Sequence, residues 1–180
     1  LLLCMKTAND AELVQNEFGE WEMVGDPTDG SLITLSKKGK GNLPNLQKID
    51  KIPFDSAYKY MAVLTERHGE KIIFIKGAPD RLFEMATYQG IEQELFDRAY
   101  WEEKVIELAK KGERVLAGAY VSVTEDIESI DHSDLNGEIT FLGLTGIIDP
   151  PREEAVEAIE ACKHAGIRVK MITGDHQDTA

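Results

Sequence analysis

The chain has 180 residues, 42% hydrophobic and 29% charged, a balance that excludes a disordered polypeptide and suits one good core with a small appendage. Its 33 acidic against 20 basic residues give a formal net charge of −13, which argues against a nucleic-acid or anionic-membrane partner, since neutralising phosphate takes clustered Lys and Arg. No apolar run approaches the ~20 residues that cross a bilayer, and residues 1–3 give way at once to Cys4, Lys6, Asn9 and Asp10, so neither a span nor a signal peptide begins here.

Residues 1–17 read as a helix with Leu2, Met5 and Leu13 among its apolar positions. Gly25-Asp26-Pro27-Thr28-Asp29-Gly30 is rich in turn formers, residues 31–37 read as a second helix, and residues 38–48 as an exposed loop. Residues 59–65 and 71–76 form the clearest strand pair, with His68-Gly69 as the turn between them. Pro79 stands where a helix begins, and Asp80 adds a favourable negative charge to its first turn. Residues 91–111 read as a long helical stretch with Val105, Leu108 and Ala109 on one face, closed by Gly112, and residues 114–123 as a strand. After a polar connection over 126–137 comes an almost continuously apolar run, residues 139–148, the pattern of a strand buried on both faces. Pro150-Pro151 then opens a helix carrying Ala155, Ile159 and Cys162 on one face, Gly166 stops it, and residues 167–172 read as another apolar strand. Strand, helix and strand make a βαβ unit of a parallel sheet. The expected class is α/β in two bodies: an α+β domain with an antiparallel sheet and flanking helices over 1–137, and the opening of a parallel α/β domain over 138–180.

Four places could carry chemistry. Lys76-Gly77-Ala78-Pro79 joins a strand end to a helix start, where a glycine admits a ligand close to the backbone and a lysine meets phosphate. It is not a Walker A loop, because the second glycine and the Lys-Ser/Thr pair are missing, and by itself it is an ordinary turn more often than a site. Phe54, in Ile52-Pro53-Phe54-Asp55-Ser56, could stack a base, with Lys59 five residues on for phosphate, although a lone Phe belongs to a core more often. Asp149-Pro150-Pro151-Arg152 and Thr173-Gly174-Asp175 both follow strands, at the carboxyl ends where open α/β sheets place ligands, yet Asp149 could equally cap a helix and Gly174 make a turn. Cys4 and Cys162 lack zinc spacing and the four histidines are dispersed, so neither type reads as a metal site.

The order of these pieces is more specific than any one of them. Gly25-Asp26-Pro27-Thr28-Asp29-Gly30, then Ile52-Pro53-Phe54-Asp55-Ser56 with Lys59, Lys76-Gly77-Ala78-Pro79-Asp80, Arg114-Val115-Leu116-Ala117, Asp149-Pro150-Pro151-Arg152 and Met171-Ile172-Thr173-Gly174-Asp175-His176 resembles the P-type ATPases over nearly the whole chain. Within them it is similar to the branch of calcium, sodium/potassium and related bacterial cation pumps. The resemblance implies that the first body is a nucleotide-binding domain. Phe54 would stack the adenine, Lys59 and Lys76 would approach the nucleotide, Gly77 and Ala78 would form the close wall, and Arg114 would reach the phosphates. Thr28 and Asp29 would sit beside the adenine, Asp29 standing where the family usually has the longer Glu. Ser56 replaces a frequent Arg, so one phosphate contact would be missing. The second body would be the start of a haloacid-dehalogenase-like phosphorylation domain. There Thr173 and Gly174 would hold the transferred phosphoryl and Asp175 would help position ATP and magnesium, with Asp149 and Arg152 supporting the nucleotide between the domains.

The Asp-Lys-Thr-Gly-Thr string that carries the family's nucleophile does not occur here. The expectation is therefore the ATP-binding cytoplasmic part of an integral membrane pump, cut from a longer chain. Its partners would be ATP with Mg2+ and the remaining phosphorylation, actuator and transmembrane domains, and the segment alone would bind ATP without hydrolysing it. The transported ion, calcium by the branch, would be bound elsewhere. Two rival classes remain on the sequence: a non-catalytic module that keeps the fold without the pocket, and a small dehalogenase-like phosphatase.

Overall fold

The computed structural model describes residues 1–39, 42–124, 126–148, 153–170 and 172. Its core is a seven-stranded sheet built from β3 (Lys48–Asp55), β4 (Tyr60–Arg67), β5 (Glu70–Gly77), β6 (Ala86–Gln89), β7 (Glu94–Leu95), β8 (Arg114–Val123) and β9 (Ile139–Ile147), in the order β3-β4-β5-β8-β9-β6-β7. All neighbours are antiparallel except β6 and β9, which run parallel. β1 (Glu12–Gln15) and β2 (Trp21–Val24) form a separate antiparallel pair.

Period-two alternation gives the sheet two apolar faces. Tyr60, Ala62 and Leu64 of β4, Ile73 and Ile75 of β5 and Ala117, Ala119 and Val121 of β8 share one core with Ile139 and Phe141 of β9. Leu82 and Phe83 of α3 (Pro79–Met85) are buried in it, and Trp101 and Val105 of α4 (Arg98–Ala109) pack against it. Met61, Val63 and Phe74 point the other way, onto Cys4 and Ala8 at α1 (Leu2–Thr7). Helix α1 sits close to the strands because β8 has Gly118 beneath it: a Cβ there would lie 2.8 Å from Leu1 Cδ1 and 3.0 Å from Met5 Cε. Cys4 Sγ donates to the carbonyl of Ile75 at 3.4 Å, and burial pushes its thiol up to about 11. Cys162 is a second free thiol, half-buried.

Several sequence expectations are corrected. The helix expected over 1–17 ends at Thr7, because Asn9 to Ala11 turn the chain into β1. The second helix, α2 (Pro27–Lys38), begins inside the supposed turn: the Asp26 side chain accepts from the Thr28 and Asp29 amides, and Pro27 occupies a first-turn position that needs no N–H. The stretch 91–111 splits into the short β7 and α4, whose cap is Asp97, accepting from the Tyr100 amide at 3.0 Å. The connection over 126–137 includes a single 3-10 turn, His132–Leu135, closed by a reciprocal cap between Asp131 and Asp134.

The largest difference concerns residues 139–148. The buried strand is present as β9, but it lies inside the mixed sheet, antiparallel to β8 and parallel to β6, rather than opening a separate parallel βαβ unit. Its apolar pattern is that of any strand covered on both faces, so periodicity alone did not say which sheet would cover it. The following helix is present as α5 (Glu153–His164), while residues 167–170 adopt no regular structure. Among the described residues no helix is long and apolar enough to cross a membrane.

Candidate functional site

At one end of β4, β5 and β8 a cavity of about 570 Å³ opens between the strand ends and α2, a size that suits a nucleotide. Thr28, Asp29, Phe54, Lys59, Lys76, Gly77, Ala78 and Arg114 all line it. Four separate segments of the sequence thus meet in one place. Asp149, Arg152, Thr173, Gly174 and Asp175 lie outside the described residues.

Lys76 is the last side chain of β5 before Gly77 and points to the α1 face. It is only 5% exposed, which is tolerable for an ammonium group because it is ion-paired with Asp29 Oδ1. Asp29 is held in turn from α1's end, its Oδ2 accepting the Asp10 amide at 3.1 Å. Gly77 makes the close wall: a Cβ on it would stand 2.6 Å from Tyr60 Cβ and 2.8 Å from Tyr60 Cα, so a larger residue would force β4 and β5 apart. Ala78 caps α3 and its amide donates to the Lys59 carbonyl at 2.9 Å.

Lys59 occupies the tight connection between β3 and β4 with a φ of 58°, a left-handed conformation that a non-glycine residue holds only under local constraint. Its ammonium donates to Asp80 Oδ2 at 2.8 Å. That hydrogen bond raises the Lys59 ammonium above its ordinary value. Burial acts most strongly on Asp80 and would raise it, but the same bond, the Arg81 and Asp80 amides and the Lys59 charge together hold the carboxyl below the usual range. Phe54, at the end of β3, is 62% exposed. An aromatic ring left open to solvent beside two ammonium groups and a guanidinium is unusual for a core residue and apt for stacking. Asp26 is subject to burial that favours the neutral acid, yet the Thr28 hydroxyl and the Thr28 and Asp29 amides prevail and lower it.

The lining also includes residues that sequence reasoning passed over: Asp10, Asp26, Met61, Val115 and Leu116. Asp26 was findable, since Asp before Pro is a helix-start signal. Val115 and Leu116 adjoin Arg114 and could have been expected to come with it. Nothing near Asp10 in sequence marks it. A larger cleft of about 770 Å³, between α1, β1 and α2, is lined by Lys6, Glu12, Lys37 and Asn45 among others and gathers none of the motif residues. Among the described residues no group of three or more His, Cys, Asp or Glu is placed to hold a metal ion.

Comparison with known proteins bears on this arrangement directly. The sequence model of the family described as P-type ATPase, cytoplasmic domain N, matches residues 1–154. The chain belongs to the P-type ATPases. It is 40% identical to a cation-transporting ATPase of Synechocystis over 186 residues, which cover 99% of this chain and 20% of that protein. A calcium-transporting ATPase of Bacillus subtilis is 37% identical over 190 residues, covering 100% and 21%. A sodium/potassium exporting P-type ATPase of Schizosaccharomyces pombe is 37% identical over 188 residues, covering 100% and 18%. The chain therefore spans about a fifth of the length of each of these P-type ATPases. The matched domain takes in the whole of the seven-stranded sheet and the cavity, and ends within α5.

Proposed function

We propose that the cavity binds ATP, and that the protein to which this chain belongs uses it to transfer the γ-phosphoryl to an aspartate and drive a cation across a membrane. One observation carries the reading: a cavity of nucleotide size assembles an exposed aromatic, two lysines, an arginine and a close glycine wall from three segments, with Thr28 and Asp29 brought in from a fourth. A fold kept only for its shape has no need of a buried ammonium there, because burying Lys76 costs energy that an apolar residue would not. Phe54 stacks the adenine, Thr28 and Asp29 flank it, Gly77 and Ala78 let it approach the backbone, and Lys59, Lys76 and Arg114 face the phosphates. In the same reading Asp149 and Arg152 support the nucleotide, Thr173 and Gly174 hold the transferred phosphoryl, and Asp175 helps position ATP and magnesium. Magnesium comes bound to the phosphates of ATP.

The chain is then a nucleotide-binding domain followed by the opening of a phosphorylation domain. Sequence patterning put the division at residue 138; with β9 paired inside the mixed sheet, we place it after Ile147 and ahead of Glu153. The rest of the phosphorylation domain, an actuator domain and transmembrane helices are the partners, and calcium is the first ion to test. Without the nucleophile's Asp-Lys-Thr-Gly-Thr string, the 180 residues alone bind ATP and turn none over.

The deciding experiment is a calorimetric or amide-NMR titration of the 180-residue protein with ATP, beside Lys76→Ala and Phe54→Ala. Saturable binding in the high-micromolar to millimolar range, lost in both variants, is the expected result. Binding that survives both substitutions would move the site elsewhere, and a folded protein blind to ATP would favour a module that has lost the pocket.

A further inference from the structure

Behind the cavity lies a buried side chain with no part in the reading so far. Asn9 is 2% exposed and makes three hydrogen bonds: its amide donates to the Met5 carbonyl at 3.2 Å and to the Asp29 carbonyl at 2.8 Å, and its Oδ1 accepts the Ala11 amide at 2.9 Å. Its own carbonyl accepts the Lys48 ammonium. The next residue, Asp10, offers its amide to Asp29 Oδ2 and its carboxylate to Lys51 at 2.8 Å. One turn thus joins the end of α1, the first turn of α2 and the strand β3, and it grips Asp29 at two points: the main-chain carbonyl through Asn9 and the carboxylate through Asp10. The other carboxylate oxygen of Asp29 is the one paired with Lys76.

We infer that Asn9 is a positioning residue for nucleotide binding, acting through Asp29 to hold the buried Lys76 ammonium at the cavity wall. The physical reason lies in freedom of the first helical turn. Asp29 stands two residues past Pro27 in the first turn of α2, where the amides have no intrahelical acceptor and the Asp26 cap reaches the Asp29 amide only at 3.4 Å. A carboxylate able to shift there would let the flexible lysine follow it or turn away, and an ammonium without its partner is costly at this depth. Asn9 removes that slack with a neutral, fully satisfied amide, which leaves the charge balance of the cavity untouched. Hydrophobic packing at the same place could fill the space but could not hold a carbonyl at a set distance.

The inference rests on the ATP reading for its consequence, but its first test does not need ATP. In the unliganded protein the Lys76 ammonium should give a slowly exchanging ¹H–¹⁵N signal, and Asn9→Asp, isosteric but with an acceptor facing the Asp29 carbonyl, should broaden or lose it. Asn9→Ala should do the same, with melting temperatures recorded for both. If both variants fold and the ammonium signal stays as in the wild type, the inference is overturned, whatever ATP does. The second test is a double-mutant cycle on ATP affinity. Asn9→Asp is expected to weaken binding about fivefold, the weight of one lost buried hydrogen bond. In the Asp29→Ala background, where the Lys76 ammonium has lost the carboxylate that Asn9 steadies, it should add nothing, because its route is already cut. A full fivefold loss in that background would show that Asn9 acts as general scaffolding and would sink the proposal. Failure of the wild type to bind ATP at all would break the functional reading and leave the ammonium test to decide this one.

Discussion

The strand pair β4–β5 and the helix α5 carry equally plain apolar patterns, and the fold treats them in opposite ways. From Tyr60 to Thr65 every residue of β4 is buried, because one face meets α3 and α4 and the other meets α1. In α5 the expected stripe is there, yet Val156 is 43% and Ile159 41% exposed, and from Glu154 to Lys170 only Cys162 is even half-buried. An amphipathic period identifies a helix and the face it offers; it says nothing of whether a partner surface is present. The stability of this chain is therefore concentrated in the sheet, and the cavity is built on the part that is held from both sides.

The contrast can be broken by substitution. Leu64→Ala, at a fully buried position in the sheet, should cost about 2–5 kcal/mol by urea unfolding, since transfer and cavity terms both apply. Gly77→Ala should cost about 1–3 kcal/mol by overpacking against Tyr60 and weaken ATP binding as well. A neutral result there would mean that β4 and β5 yield more readily than their burial implies. Asp26→Ala should cost about 1 kcal/mol through loss of the α2 cap. The Asp26 carboxyl is lowered in the folded state, so its contribution is complete above the ordinary carboxylate value near ~4 and fades as the pH falls through the depressed one. The gap between wild type and Asp26→Ala should accordingly close in acid and stay constant from neutral pH upward. At the small end, Ile159→Ala on α5 should leave stability within about 0.5 kcal/mol. A loss near that of Leu64→Ala would show that α5 is packed in solution after all.

Legibility followed the range of the interactions concerned. The β4–β5 hairpin was readable because alternation and the His68-Gly69 turn are local, and both residues do take positive φ, 55° and 84°. The start of α2 was missed although its signal was equally local: Asp26 and Pro27 looked like a turn because the residues that begin a helix are also turn residues. β3 and β7 were lost because each is an edge strand whose exposed residues blur the period. In the cavity, motif order named eight lining residues; Asp10 and Met61 could not be named, since they arrive from α1's turn and the back of β4.

What the amino-acid order determined by itself was the family, the element types with strong periods, and eight of the residues that line the cavity. These depend on residue type, spacing and order along one chain. What only the tertiary structure decided was the sheet to which Ile139–Ile147 belongs, the pairing of Lys76 with Asp29, and the support of that pair by Asn9 and Asp10. A strand covered on both faces has the same pattern in any sheet, and a lysine's partner is chosen by which carboxylate the folded chain brings within reach.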